Sequence, residues 1–351
     1  MSFPQHEAHN TAPLRSCDPF FQCIHCRSSQ TCSLPPNIVD LYLQGQHGIC
    51  PHCHAQLDWW QVAVDMVRQN FLMSSAFFPL GAKTTLFQTK FFRDAITHFN
   101  LYEEGLPPNA LILELNISPE GMFCSETTTN SRRLTNKFKK GGLLQLQGYA
   151  NPGSESQINE AKVAIFVTWV ERSVDDAAWN NLVTAFDFYV NNDYESSLVP
   201  ANVAVESQLF RLIERHLTAT ANKRRVKDFL ENNATYSPQL NVLLPSIVHQ
   251  LRATDMPNDL RGRLNRLRDL RNQVAHRGRC DRNLSQDGCA ELITAALFGF
   301  RYLAYLESVF NAEANTSYEK ISTGHLLEAN PLIYRMGDSN SWRSAHQGGE
   351  T

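Results

Sequence analysis

The chain has 351 residues, 42% of them hydrophobic and 19% charged, which is the composition of an ordinary globular protein with room for two or three domains. A net charge of −3 excludes a polycation, so any nucleic-acid affinity must come from local basic patches. The first twenty residues lack the apolar core of a signal peptide, and uninterrupted apolar runs such as 295–298 are far too short to span a bilayer. These features predict a soluble, cytoplasmic protein that does not meet a membrane.

Residues 1–19 are rich in His, Pro, Asn and Ser without apolar periodicity, and they predict a mobile tail. Two Cys-x-x-Cys pairs follow, Cys23 with Cys26 and Cys50 with Cys53, separated by 23 residues. In a reducing compartment such pairs favour a metal over disulfides. Four thiolates fill a tetrahedral zinc shell, which makes the expected site structural rather than catalytic. The segment 20–65 therefore reads as a zinc ribbon, too small to fold without a cross-linking ion. The spacing leaves open whether it also recognises a nucleic acid or protein. His25, His52 and His54 lie close by, but four cysteines already complete the shell. The other five cysteines, Cys17, Cys32, Cys124, Cys280 and Cys289, read as small buried hydrophobes.

From 70 to 172 the pattern becomes strand-like. The runs 110–117, 143–149 and 162–170 are β-branched, aromatic or alternating, and turn signals at 106–109, 118–121 and 151–154 lie between them. They predict a small antiparallel β domain with a basic loop at 132–142.

From 175 to 312 the spacing becomes helical. Asp175 and Asp176 mark a helix start. Two helices are expected on either side of Pro200, and Val205, Leu209, Leu212, Ile213 and Leu217 form one stripe. A later helix, 261–275, carries Leu260, Leu264, Leu267, Leu270 and Val274 on one face and stops at Gly278. A long helix spans 285–310, and 313–351 reads as a polar tail. The fold class is α+β and multidomain: a zinc ribbon, an antiparallel β domain and a C-terminal helical bundle.

The stretch 270–278 carries the chemistry. Arg271 can hold a phosphate bidentately and stays charged at any working pH, whereas His276 can exchange a proton near neutrality. Such a pair can cut RNA without a metal, since RNA supplies its own nucleophile in the 2′-hydroxyl. Residues 261–282 hold eight Arg against two Asp, a local +6, and Lys223, Arg224, Arg225 and Lys227 extend the basic surface. On one helix, however, five positions leave Arg271 and His276 roughly 140° out of phase, while Asn272 and His276 share a face. A leucine-striped, arginine-rich helix is also what an ordinary solvated amphipathic helix looks like, and a His in the last turn is favourable simply as a cation.

The Arg271-Asn272-x-x-x-His276 pattern resembles the Arg-polar-x-x-x-His motif of the HEPN superfamily. The aromatic-rich 186–194, followed by Pro200-Ala201-Asn202-Val203-Ala204-Val205-Glu206, is similar to the segment that precedes the motif in that family. The resemblance covers 178–310 and implies a helical bundle that forms a two-fold dimer, in which both protomers supply Arg and His to one cleft. It further implies a metal-independent endoribonuclease leaving a 2′,3′-cyclic phosphate. Arg271, Asn272 and His276 would be the catalytic residues, and a role in anti-phage defence or as a toxin is implied, with a regulatory trigger or antitoxin as partner. The alternative is a non-catalytic HEPN and zinc-ribbon module that binds nucleic acid or protein. A DNA-binding regulator is a weaker third reading.

Overall fold

The computed structural model describes residues 3–28, 30–69, 75–120, 122–129, 142–149, 159–171, 176–219, 221–280 and 284–315. The chain begins with strands β1 (Gln5–Glu7) and β2 (Arg15–Cys17), then β3 (Phe20–Phe21), β4 (Cys32–Ser33), helix α1 (Ile38–Leu43), β5 (Gly48–Ile49), β6 (Gln56–Leu57) and α2 (Trp59–Gln69). Six longer strands follow: β7 (Lys83–Phe92), β8 (Ile96–Asn100), β9 (Ala110–Pro119), β10 (Phe123–Thr129), β11 (Leu143–Tyr149) and β12 (Glu160–Glu171). The remaining described elements are helices: α3 (Ala177–Val190), α4 (Tyr194–Thr218), α5 (Lys223–Asn232), α6 (Tyr236–Pro238) with a π-helical continuation Gln239–Leu243, α7 (Leu244–Gln250), α8 (Asn258–Arg277) and α9 (Gln286–Asn315). The chain is thus mixed α+β.

Its described residues form two compact units, one within 1–19 and 70–175, the other within 20–69 and 176–351. The first contains two four-stranded sheets, ordered β1-β8-β11-β10 and β2-β7-β12-β9. Both contribute to one buried cluster that includes Phe87, Phe91, Phe99, Leu144, Leu146, Ile165 and Val167. Pairing is antiparallel throughout except for β1, which lies parallel to β8. The expected tail 1–19 instead holds two edge strands of this unit. The residues of β1 and β2 are exposed, so they need no apolar period; they are held by backbone pairing and by the Glu104 carboxylate, which accepts from the Asn10 N–H at 2.8 Å. Most of the basic loop 132–142, and the turn at 151–154, lie outside the described residues.

In the second unit, the segment divided off above as a zinc ribbon packs with the helices. Trp60 of α2 meets Phe298 of α9 edge-on, with ring centroids 5.2 Å apart. Asp176 caps α3 by accepting from the N–H groups of Ala178 and Trp179. The expected break at Pro200 is displaced to 191–193: Asn192 takes a left-handed φ of 62° and the Asp193 carboxylate caps α4 through Ser196 N–H. Pro200 lies inside α4 and is buried, where it forfeits one helical hydrogen bond while its ring packs in the core. The helix α9 is long and apolar enough to cross a membrane by composition, but 89% of its most apolar window is buried within the fold. That is how a core helix looks. Leu264 of α8 lies against Gly299 of α9, where a Cβ would come within 2.9 Å of the leucine Cδ1, so any side chain there would have to displace the leucine.

Asp40 on α1 supplies a pH test. Burial pushes its carboxyl up to about 6, against the pull of the Arg301 charge. A raised folded-state value means that the fold prefers the neutral acid, so charging Asp40 costs stability as pH rises through that value. We expect Asp40→Asn to be increasingly more stable than wild type as pH rises from about 4 to 6, between the ordinary carboxyl value and the raised one, levelling above that, with a gain of at most ~3 kcal/mol. Denaturant titrations across this window check it; a gain that shrinks with rising pH contradicts it.

Candidate metal centre and arginine-histidine site

Two sequence features become geometric sites in the second unit. At the first, the Sγ atoms of Cys23, Cys26, Cys50 and Cys53 all lie within 4.8 Å of one another. Two of the edges are short: Cys23 to Cys53 at 3.7 Å and Cys26 to Cys50 at 3.9 Å. A tetrahedron with metal–sulfur bonds of ~2.3 Å has edges of roughly 3.8 Å, so the donor set fits one tetrahedral ion.

The backbone explains why the sulfurs converge. Each Cys-x-x-Cys closes a tight knuckle, with Arg27 N–H bonding the Cys23 carbonyl and His54 N–H bonding the Cys50 carbonyl, both at 2.9 Å. Arg27 and His54 take left-handed φ values of 45° and 59°, as the matching position in each turn. Donors point at the sulfur: His52 N–H lies 3.4 Å from Cys50 Sγ. Burial disfavours a charge on Cys50, but the N–H groups of Cys53 and His52 and the neighbouring Cys23 and Cys53 thiols pull it down to about 6. Cys23 is shifted up, foremost by burial. Without a cation the four sulfurs cannot all be anionic at such separations; a divalent ion removes that repulsion. Among the nearby histidines, His25 bonds the Gln56 carbonyl at 3.2 Å and the four-sulfur group includes no histidine.

The second site is the end of α8. Leu260, Leu264 and Leu267 are fully buried, while Leu270 and Val274 are only half-covered. The helix stops at Gly278, whose left-handed φ of 75° lets its N–H return to the Val274 carbonyl at 2.8 Å. Arg271 is half-buried and donates from Nη1 to Asn272 Oδ1 at 3.0 Å. Its Nε is buried without a hydrogen-bond partner among the described residues. His276 is exposed in the last turn. The structure thus brings Arg271 and Asn272 together and leaves His276 on the other side of the helix, as the phase argument expects. Glu206 accepts from Asn202 Nδ2 at 3.1 Å. Burial, with the Glu206 charge behind it, raises the Tyr236 hydroxyl, and Arg268 opposes that shift.

The arginine run is not uniformly available. Arg263 pairs with Asp259 at 2.6 Å and stacks over Trp60 at 4.4 Å, and Asp259 also accepts from the Tyr42 hydroxyl at 3.2 Å. Arg266, Arg277 and Arg279 are exposed, and Arg282 lies outside the described residues. The spacing argument missed Cys32, a buried fifth sulfur beside the cluster, because it stands outside either pair. Cys280 and Cys289 are buried as expected, whereas Cys17 is exposed and Cys124 half-buried: both sit on short or edge strands.

Glycine at either knuckle position removes the left-handed strain, a cost of order 1 kcal/mol. Arg27→Gly and His54→Gly should each keep the cluster and raise resistance to chelator-induced unfolding, while Arg27→Val should lower it. Chelator titrations followed by circular dichroism check this; resistance in Arg27→Val equal to or above that of wild type would contradict it.

No known protein family, characterised protein or solved structure matches this chain.

Proposed function

We propose that the protein is a metal-independent endoribonuclease of HEPN type that works as a homodimer, with one structural zinc ion held by Cys23, Cys26, Cys50 and Cys53. The observation that carries the reading is the end of α8: an arginine tethered to Asn272 and an exposed histidine, beside a leucine seam that one protomer covers only in part. A two-fold axis beside the end of α8 would let the Arg271 of one protomer and the His276 of its partner line one cleft. Apolar positions half-exposed at the end of an otherwise buried stripe support such an interface.

In this mechanism His276 takes or delivers the proton as the 2′-hydroxyl attacks the adjacent phosphorus. Such proton transfer is worth ~10²–10⁴-fold. Arg271 meets the charge that develops on the phosphoryl oxygens with charge-assisted hydrogen bonds. Asn272 fixes the Arg271 guanidinium, and Arg266, Arg277 and Arg279 favour a polyanion nearby. Zinc takes no part in the reaction; it cross-links the knuckles that dock on the bundle. In the β unit, Phe123 and Tyr149 are exposed and directly opposite each other on β10 and β11, which supports a recognition role for that unit.

The second reading is a non-catalytic module that binds RNA or a partner. The separation of Arg271 and His276 within one protomer favours it, and it stands if no dimer forms.

Two experiments test the proposal. Purified protein should carry one zinc per chain by elemental analysis, falling below stoichiometry in Cys26→Ser or Cys53→Ser; a metal-free wild type removes the zinc assignment. RNA cleavage should persist in EDTA for as long as the fold survives and should leave 2′,3′-cyclic phosphate ends. Arg271→Ala and His276→Ala should each lower the rate by about 10²-fold or more while leaving the circular dichroism unchanged, since neither residue belongs to the buried leucine stripe. Equal cutting of a substrate with 2′-deoxyribose at the scissile position would overturn the mechanism.

A further inference from the structure

The short helix α5 takes no part in either site described above. It lies against α4 and buries Val226 and Leu230. The rest of its surface is basic. Lys223, Arg224, Arg225 and Lys227 are all exposed. The two carboxylates of the helix are engaged within it: Glu231 pairs with Lys227 at 3.7 Å, and Asp228 accepts from the Asn232 side-chain amide at 2.9 Å. Among the described residues, Lys223, Arg224 and Arg225 form no ion pair. Phe229 stands 41% exposed on the same helix. Arg225 lies four positions before it, so ring and guanidinium share a face. An aromatic ring with a cation one turn away offers an unpaired nucleotide a surface for its base and a partner for its phosphate.

This surface is continuous with the arginines of α8. The segment that follows α5 is tied to α8 by Asn241 and Asn265, whose side-chain amides exchange two hydrogen bonds at 3.1 Å each. Arg266 follows Asn265 and is exposed, as is Arg277. Eleven positions bring these two arginines within about 20° of the same direction and set them roughly 16 Å apart along the helix axis. Basic groups thus run from α5, past the Asn241–Asn265 tie, to the His276 end of α8.

We infer that α5 is a second binding surface for single-stranded RNA, with one base stacked on Phe229 and phosphates held by Lys223, Arg224 and Arg225. The identity of the polyanion rests on the ribonuclease reading above. A duplex keeps its bases inside the stack, so α5 selects unpaired RNA. An acidic protein segment would meet the same cations, but it would need only apolar bulk at position 229 and no aromatic face.

The test uses the full-length protein and a 2′-O-methyl RNA of about 16 nucleotides, which lacks the nucleophile, so that binding is read without cleavage. Affinity is measured by fluorescence anisotropy across a salt series. Phe229→Ala and Phe229→Leu should each weaken binding by about fivefold or more, while Phe229→Trp should keep it. Lys223→Gln, Arg224→Gln and Arg225→Gln together should flatten the slope of log affinity against log salt by about 2. A duplex of the same sequence should bind more weakly than the single strand. Cleavage of a dinucleotide, which cannot span from the end of α8 to α5, should be unchanged in all these variants. Wild-type affinity in Phe229→Leu, an unchanged salt slope in the triple variant, or binding of polyglutamate as tight as that of the RNA overturns the inference; cleavage that still needs Arg271 and His276 then leaves the ribonuclease reading standing. Binding that needs Phe229 and the three cations, with no RNA cut, keeps the surface and overturns the ribonuclease reading. Should Phe229→Ala lose its circular dichroism signal, Phe229→Leu and the triple variant decide.

Discussion

The rotation of α8 about its own axis is the constraint from which the site follows. Leu260, Leu264 and Leu267 are fully buried and admit one orientation of the helix. Arg271, one turn beyond Leu267, therefore stays on the core side, which is why its Nε is buried. His276, nine residues beyond Leu267, is about 180° away and faces solvent. Five positions leave Arg271 and His276 about 140° apart on one helix, which is poor placement for meeting at one phosphorus. If both act in one reaction, one of the two must come from another protomer; the half-covered Leu270 and Val274 lie on the Arg271 side of the helix.

The cysteine cluster has a related structural role. A knuckle segment of this size has little core of its own, and its covering surface is the helical unit. Trp60, Tyr42 and Phe298 make a set of mutually tilted aromatic contacts, and aromatic burial of this kind outweighs the exposed ion pairs around it. The pair Arg68–Asp287 at 2.8 Å and the Gln286 amide donating to the Arg68 carbonyl at 2.8 Å add a second tie, at the first turn of α9. The cysteine-knuckle segment is thus seated on the first turns of α8 and on α9.

Much of this was legible in the residues. Alternation located β11, because a sheet face buried on one side writes period two into the chain, while apolar, β-branched and aromatic runs located β9 and β12. The leucine stripe and Gly278 located α8, and paired spacing located the four-cysteine cluster. Other features left no such trace. The strands β1 and β2 are exposed edge pieces held by backbone bonds, which impose no apolar pattern. Pro200 resembled a helix boundary, yet an Asn at positive φ and an Asp cap at 191–193 set the break instead. The joining of the knuckles to the bundle depends on Tyr42, Trp60, Asp259 and Arg263, residues far apart in the chain whose meeting no local spacing encodes. Cys32 stood alone in sequence, and its burial follows from the pairing of β4 with β3, which no cysteine spacing encodes.

The shared site is the central claim, and subunit mixing tests it most directly. Arg271→Ala and His276→Ala proteins are each prepared, combined under conditions that let protomers exchange, and assayed for RNA cleavage against each parent alone. A composite site predicts that mixed dimers, with one intact arginine and one intact histidine across the axis, regain activity that neither parent has. A mixture that exchanges subunits yet cuts no faster than its parents, or a wild type that cleaves RNA as a monomer, would contradict the account.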